Sequence, residues 1–236
     1  MHGVSYPSSN TATAVGTGGW IVRSLDGGFS WSVQTSGTSN DLRGVFFVDA
    51  SNGHIVGDGG IILRTTNGGS NWTSQSFGTQ LSAISFSDAN NGAAVGLGGT
   101  ILRTVNSGAT WASITIGTTN ALRAVYFTDA NTGTAVGDAG IIRRTINGGG
   151  SWTFQTSGTK LRLNGVSFSS TNSGTAVGDS GAILRTNDGG LNWSRQTSGT
   201  MNQLLGVSFS DNDRGAAVGA NGLLLRTTDA GATWTP

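Results

Sequence analysis

The chain has 236 residues, with 40 Gly, 2 Pro and no Cys, and its 13 basic and 12 acidic residues leave a net charge of +1. This balance gives no electrostatic reason to bind nucleic acid or an anionic membrane. No apolar run approaches the roughly 20 residues that span a bilayer, and without cysteine there is neither disulfide nor thiol chemistry. Glu is absent and Lys160 is the one lysine, while Thr, Ser, Asn, Val and Ile are plentiful; this mixture favours strands and turns over helices. The opening "MHGVSYPSSN" has neither the basic start nor the apolar stretch of a signal peptide. The polar, lysine-poor composition points to a periplasmic or extracellular setting.

Taken in chain order, the first phrases are "MHGVSY", then a short apolar run "TAVG" closing at Gly16, then "RSLDGGFSW" from Arg23 to Trp31, then "SVQTSGT". The same four phrases return five times. "LRGVFF" begins at Leu42, "LSAISF" at Leu81, "LRAVYF" at Leu122, "LNGVSF" at Leu163 and "LLGVSF" at Leu204. The second phrase closes at Gly57, Gly96, Gly137, Gly178 and Gly219, and the third at Trp72, Trp111, Trp152, Trp193 and Trp234. Successive closing tryptophans are 41, 39, 41, 41 and 41 residues apart. Such a period marks a repeat architecture.

Each phrase is a short, partly alternating run bounded by Gly, Asn, Asp or Ser, which reads as a β-strand. The unit is therefore four antiparallel strands, A to D, joined by hairpin-length links. One such sheet cannot bury both faces, but stacked copies can, and the predicted fold is an all-β, six-unit β-propeller. The chain is read as one propeller domain, 1–236, with blades near 1–41, 42–80, 81–121, 122–162, 163–203 and 204–236. The ending "TWTP" leaves the last blade without most of its outer D strand, so its C strand around Leu224 offers an edge for pairing with another chain.

The third phrase has a physical logic of its own. An Asp or Asn at the turn accepts backbone N–H bonds, a following Gly takes positive φ, a Thr or Ser bonds within the hairpin, and the Trp packs its apolar face beside the neighbouring sheet. The acid position holds Asp26, Asp188 and Asp229 but Asn67, Asn106 and Asn147. An amide would abolish an acid catalyst or a metal ligand, whereas a turn cap tolerates it. The phrase resembles the Asp-box, or BNR repeat, of sialidase-like propellers. The fuller string "GVSFSS…GTAVGDSGAILRTNDGGLNW" is similar to the photosystem II stability/assembly factor family. That resemblance covers nearly the whole chain and implies a non-enzymatic binding propeller, with no cofactor. The family usually has seven blades and begins with a D strand that closes the last one; this chain has six units and begins in an A strand.

Groups that vary between units are the candidate functional residues. Sialidase chemistry, as the superfamily resemblance frames it, needs a Tyr nucleophile with a Glu. Here Glu is absent, and Tyr6 and Tyr126 stand where other units have Phe, as core aromatics. The arginine of "LRT" recurs in every unit, which fits the blade's own hydrogen bonding better than a ligand site. By contrast the B–C turn carries Asp58, Asp138 and Asp179 in three units only, and Arg43 and Arg123 precede the "GV" or "AV" of strand A in two of them. Pairing of Arg43 with Asp58 and of Arg123 with Asp138 is the simple account. The functional account places these groups, with Trp20, Lys160, Arg162 and Asn221, at a polar rim where the D–A and B–C links meet and a protein segment or glycan binds. An Asp-dependent glycan hydrolase using Asp58, Asp138 or Asp179 is the alternative. Asp211 and Asp213 in "SDNDRG" are the weak metal candidates, against a plain solvated turn. His54 reads as strand packing.

Overall fold

The computed structural model describes residues 1–236. It is all-β: 23 strands form six antiparallel sheets, with no α-helix. The strands run in sequence order across each sheet. Blade 1 is β1 (Gly3–Ser5), β2 (Ala12–Val15), β3 (Ile21–Ser24) and β4 (Ser32–Gln34); blade 2 is β5 (Leu42–Phe47), β6 (Gly53–Gly57), β7 (Ile61–Thr65) and β8 (Thr73–Ser76). Blade 3 is β9 (Leu81–Phe86), β10 (Gly92–Gly96), β11 (Ile101–Thr104) and β12 (Ala112–Ile114); blade 4 is β13 (Leu122–Phe127), β14 (Gly133–Gly137), β15 (Ile142–Thr145) and β16 (Thr153–Gln155). Blade 5 is β17 (Leu163–Phe168), β18 (Gly174–Gly178), β19 (Ile183–Thr186) and β20 (Ser194–Gln196), and blade 6 is β21 (Leu204–Phe209), β22 (Gly215–Gly219) and β23 (Leu224–Thr227). The six propeller blades follow the repeat. In blade 6 the outer strand is reduced to one bridge, in which Arg226 and Thr235 exchange N–H···O bonds of 2.7 and 2.9 Å.

The chain divides into two compact units, Met1–Ser113 with blades 1 to 3 and Ile114–Pro236 with blades 4 to 6. Within each, blades are joined by dry cores. In the first unit Val56 and Ile62 of blade 2 pack with Leu81, Ile84, Phe86 and Leu102 of blade 3. In the second, Val136 and Ile142 of blade 4 pack with Leu163, Val166 and Phe168 of blade 5. The B strands of blades 1 to 5 are buried along their whole length, whereas that of blade 6 is only partly buried.

The Asp-box turns work as the sequence implies. In blade 5 the Thr186 hydroxyl donates to Asp188 (2.8 Å) and accepts from the N–H of Gly190 (2.9 Å), while Asp188 accepts from the N–H of Asn192 (2.9 Å). Asn147 does the same work in blade 4, with Thr145 at 2.9 Å and the N–H of Ser151 at 2.9 Å. The Trp lies edge-on against the Phe that ends its own A strand, as Trp72 on Phe47 (6.0 Å) and Trp193 on Phe168 (6.1 Å). Both tryptophans also border the core shared with the preceding blade.

Two expectations need correction. In blades 1, 2 and 4 the repeated arginine does not serve its own blade; it reaches the Asp-box turn of the next. Arg23 donates to the carbonyl of Gly68, Arg64 Nε to that of Ser107 (2.7 Å) and Arg144 Nε to that of Gly189 (2.7 Å). Nor are both tyrosines core residues: Tyr126 stacks on Phe168 at 5.8 Å, but Tyr6 is exposed.

Candidate functional site

Three local features converge on one edge of each unit. The first is the B–C link, a single three-residue 3-10 turn whose second and third residues are left-handed, as Ala139 (φ 56°) and Gly140 (φ 70°). The second is the D–A link, whose last carbonyl accepts from the first residue of that turn: Asp58 N–H to Asp41 (2.9 Å), Asp138 N–H to Ala121 (2.9 Å), Asp179 N–H to Arg162 (3.0 Å). The third was invisible in the sequence. Strand A begins with a β-bulge, because Leu42 pairs with Gly57 but Gly44 with Val56, so Arg43 drops out of the ladder. Arg123, Asn164 and Leu205 occupy the same bulge in blades 4, 5 and 6. A bulge re-aims its side chain, here toward the B–C turn. The Asp-box and A–B links share the other edge, as in the bond from Gly68 N–H to the Ser51 carbonyl (2.8 Å).

In the first unit, Arg43 clasps Asp58 through two guanidinium nitrogens, with Nη2 at 3.0 Å from Oδ2. This clasp holds the Asp58 carboxyl below its usual range and raises the Arg43 guanidinium further. Asp41 accepts from the N–H of Gly18 (2.8 Å), and Asn40 donates to the Asp58 carbonyl (3.1 Å). Trp20 follows the B–C turn of blade 1 and is exposed.

In the second unit the groups form a continuous ladder over three blades. Arg123 binds Asp138 bidentately (2.5 and 3.1 Å) and lowers its pKa. Arg162 Nε lies 3.1 Å from Asp138 and 3.9 Å from Asp179. Asp179 then accepts from Asn164 (3.0 Å) and Gln203 (2.8 Å), and Asn164 also donates to the Leu204 carbonyl (2.8 Å). Sequence reasoning selected the charged members and missed Gln203 and Asn164 as partners, because an amide at a bulge or in a link has no signature by itself. Lys160 and Asn221 are exposed and stand outside this ladder. Beside the ladder, Ser180, Gly181, Arg195, Thr200 and Met201 line an open groove of about 540 Å³. Met201 is exposed, an apolar side chain in an otherwise polar link.

Asp211, the metal candidate, spends its carboxylate on the turn: it accepts from the N–H groups of Asp213 (2.9 Å) and Arg214 (2.7 Å). Asp49 accepts from Ser51 and Asn52 in the same way. No group of three or more His, Asp or Glu side chains is gathered anywhere for a metal.

The family model of the photosystem II assembly factor YCF48 matches residues 1–83 and 107–200, well over half of the chain. The chain belongs to this family. No curated protein matches it significantly in sequence. Among solved structures it is similar to YCF48 bound to D1 peptide, at 21% identity and a TM-score of 0.80 over 99% of this chain and 80% of that one. It is similar to YCF48 from Cyanidioschyzon merolae at 20% identity and a TM-score of 0.77, over 99% and 83%. The GH74 enzyme of Niastella koreensis shares the fold at 16% identity and a TM-score of 0.78, over 99% of this chain but 46% of the enzyme.

Proposed function

We propose that this YCF48-family chain is a non-enzymatic scaffold that binds a protein segment along the ladder and groove of its second unit. The ladder carries the reading. Asp138 is already satisfied by the two-pronged Arg123, so Arg162, shared loosely between Asp138 and Asp179, can turn to a backbone carbonyl of a bound segment without leaving a carboxylate unpaired. Asn164 and Gln203 keep Asp179 satisfied meanwhile. The groove with Met201 supplies apolar contact for one side chain, and a similar fold has been seen with a D1 peptide bound. A glycan ligand has the exposed Trp20 in its favour. The hydrolase alternative requires a protonated carboxyl to assist the leaving group, and the arginines push Asp58 and Asp138 the wrong way.

Fluorescence anisotropy with a panel of extended peptides, a D1 peptide among them, tests the reading. Arg162→Ala is expected to weaken the best binder at least about tenfold, an energy of about 1.4 kcal/mol, with an unchanged melting temperature. A peptide whose affinity ignores Arg162→Ala and Met201→Ser, or release of reducing sugar from a polysaccharide, refutes it.

A further inference from the structure

Within each unit, consecutive blades meet through similar packing contacts. The Asp-box turn of the following blade is pushed against the B and C strands of the preceding one. A Cβ on Gly190 would lie 3.2 Å from Thr134 Oγ1, and one on Gly231 3.1 Å from Thr175 Oγ1. At three of the four contacts an arginine of the preceding blade donates to a carbonyl of that turn, Arg23 to Gly68, Arg64 to Ser107 and Arg144 to Gly189, whereas Arg185 Nε at the contact of blades 5 and 6 has no partner. Two C- and B-strand side chains, Val177 and Ile183 in blade 5, are covered completely by Leu204, Leu225 and Trp234 of blade 6.

Two faces of this kind are uncovered. On blade 6, Val218 and Leu224 stand at the positions of Val177 and Ile183 but are 49% and 38% exposed, against 0% for each counterpart. Next to them Ser208, Arg214, Gly215, Ala216 and Arg226 line an open pocket of about 410 Å³. Ala216 is the counterpart of Thr175, so the pocket lies where a following Asp-box turn would seat. On blade 1, Val4 and Tyr6 are 56% and 55% exposed, whereas Val166 and Phe168 at the same positions are 8% and 6%. Gly27 is exposed while its counterparts Gly68 and Gly189 are buried.

We infer that the uncovered face of blade 6 in one copy of this chain takes the uncovered face of blade 1 in a second copy, repeating the contact made between consecutive blades. The Asp26–Gly27–Gly28 turn enters the pocket, the Gly27 carbonyl accepts from Arg226, and Val4 and Tyr6 cover Val218 and Leu224. A second copy is the fitting occupant because blade 1 is where this chain presents an Asp-box turn with its leading glycine unburied. The two faces differ, so association is head-to-tail and every added copy brings a new free face. This surface is distinct from the edge of β23 and from the ladder.

Sedimentation of the full 236-residue chain over a wide concentration range tests this. The mean mass is expected to rise beyond two copies. Val218→Asp with Leu224→Asp, and separately Val4→Asp with Tyr6→Ser, should each give single copies, and an equal mixture of the two should give pairs and stop there. Arg226→Gln, which leaves the apolar face intact, should weaken association at least about tenfold. Circular dichroism of each variant should match the parent, since every altered side chain is exposed. A parent that stays single at all concentrations overturns the inference. So does a mixture that fails to pair, or a blocked variant that still associates.

Discussion

Replacing His54 by Thr, the residue that blades 1, 4 and 5 carry at this position as Thr13, Thr134 and Thr175, isolates one buried titration. His54 is buried, stacks on Phe86 with ring centroids 4.2 Å apart, and places Nε2 3.0 Å from the Ser107 carbonyl oxygen, so Nε2 carries the proton of a neutral ring. Nδ1 is buried without a partner. Burial chiefly, with Arg64 nearby, lowers its pKa from 6.5 to about 4 against the opposing bond to Ser107. Below pH 6.5 the unfolded chain takes a proton that the folded chain refuses. Stability is therefore complete above that value and falls as the pH drops toward 4. Two pH units below 6.5 the loss is about 2 to 3 kcal/mol, at ~1.4 kcal/mol per unit. Urea unfolding of parent and His54→Thr at pH 7 and pH 4.5, followed by tryptophan fluorescence, measures it. The variant forfeits the Phe86 stack at both pH values, so that cost cancels in the difference. The parent should lose about 2 to 3 kcal/mol more than the variant between the two conditions. Equal losses would refute the claim that this ring is neutral because it is buried.

The Asp-box acids set the next part of the acid limb. The hydroxyls of Ser30 and Thr233 foremost hold Asp26 and Asp229 at about 2 instead of 3.8; their contribution is present above 3.8 and lost as the pH falls through 2. Changing both to Asn, the residue found at 67, 106 and 147, should flatten acid unfolding in that window. Gly140→Ala should cost more than about 2 kcal/mol by denaturant titration, because its Cβ would lie 2.1 Å from the Thr159 carbonyl oxygen. Ala139→Gly should stabilise by less than about 1 kcal/mol, the left-handed penalty of its φ of 56° being partly offset by unfolded-state entropy. Arg144→Met should cost about 1 to 2 kcal/mol by removing a charged donor from the Gly189 carbonyl, and a wild-type melting temperature would show that this inter-blade bond is dispensable.

The fold was legible because its determinants repeat. Each Trp, each turn Gly and each C-strand arginine announces itself six times, and the Asp-to-Asn exchange at residues 26, 67 and 106 marks a turn cap. The Arg43–Asp58 and Arg123–Asp138 pairs were legible from their joint presence in the same units. The destination of the arginines was not, because a period gives what recurs and not whether a side chain serves its own blade or the next. The bulge was hidden for a different reason. It adds a residue to one strand without changing the length of the phrase, so Arg43, Asn164 and Leu205 look like ordinary strand positions until pairing shows Leu42 opposite Gly57 and Gly44 opposite Val56.

That bulge also explains why the rim varies while the blades do not. A side chain at residue 43, 123, 164 or 205 is outside the ladder and outside the dry core, so its replacement breaks neither a strand bond nor a packed contact. Arg, Asn and Leu succeed one another there. A partly exposed ion pair such as Arg43 with Asp58, each about a third exposed, contributes only ~0–1 kcal/mol, little against the cores that join the blades. Chemistry at the bulge and at the first residue of the B–C turn can therefore change at small cost to stability. The Arg64 and Arg144 positions have no such freedom, since each donates to a turn that the next blade needs. Recognition specificity is accordingly expected on the edge built from bulges and B–C turns, and substitutions on the Asp-box edge are expected to register as lost stability before they register as lost binding.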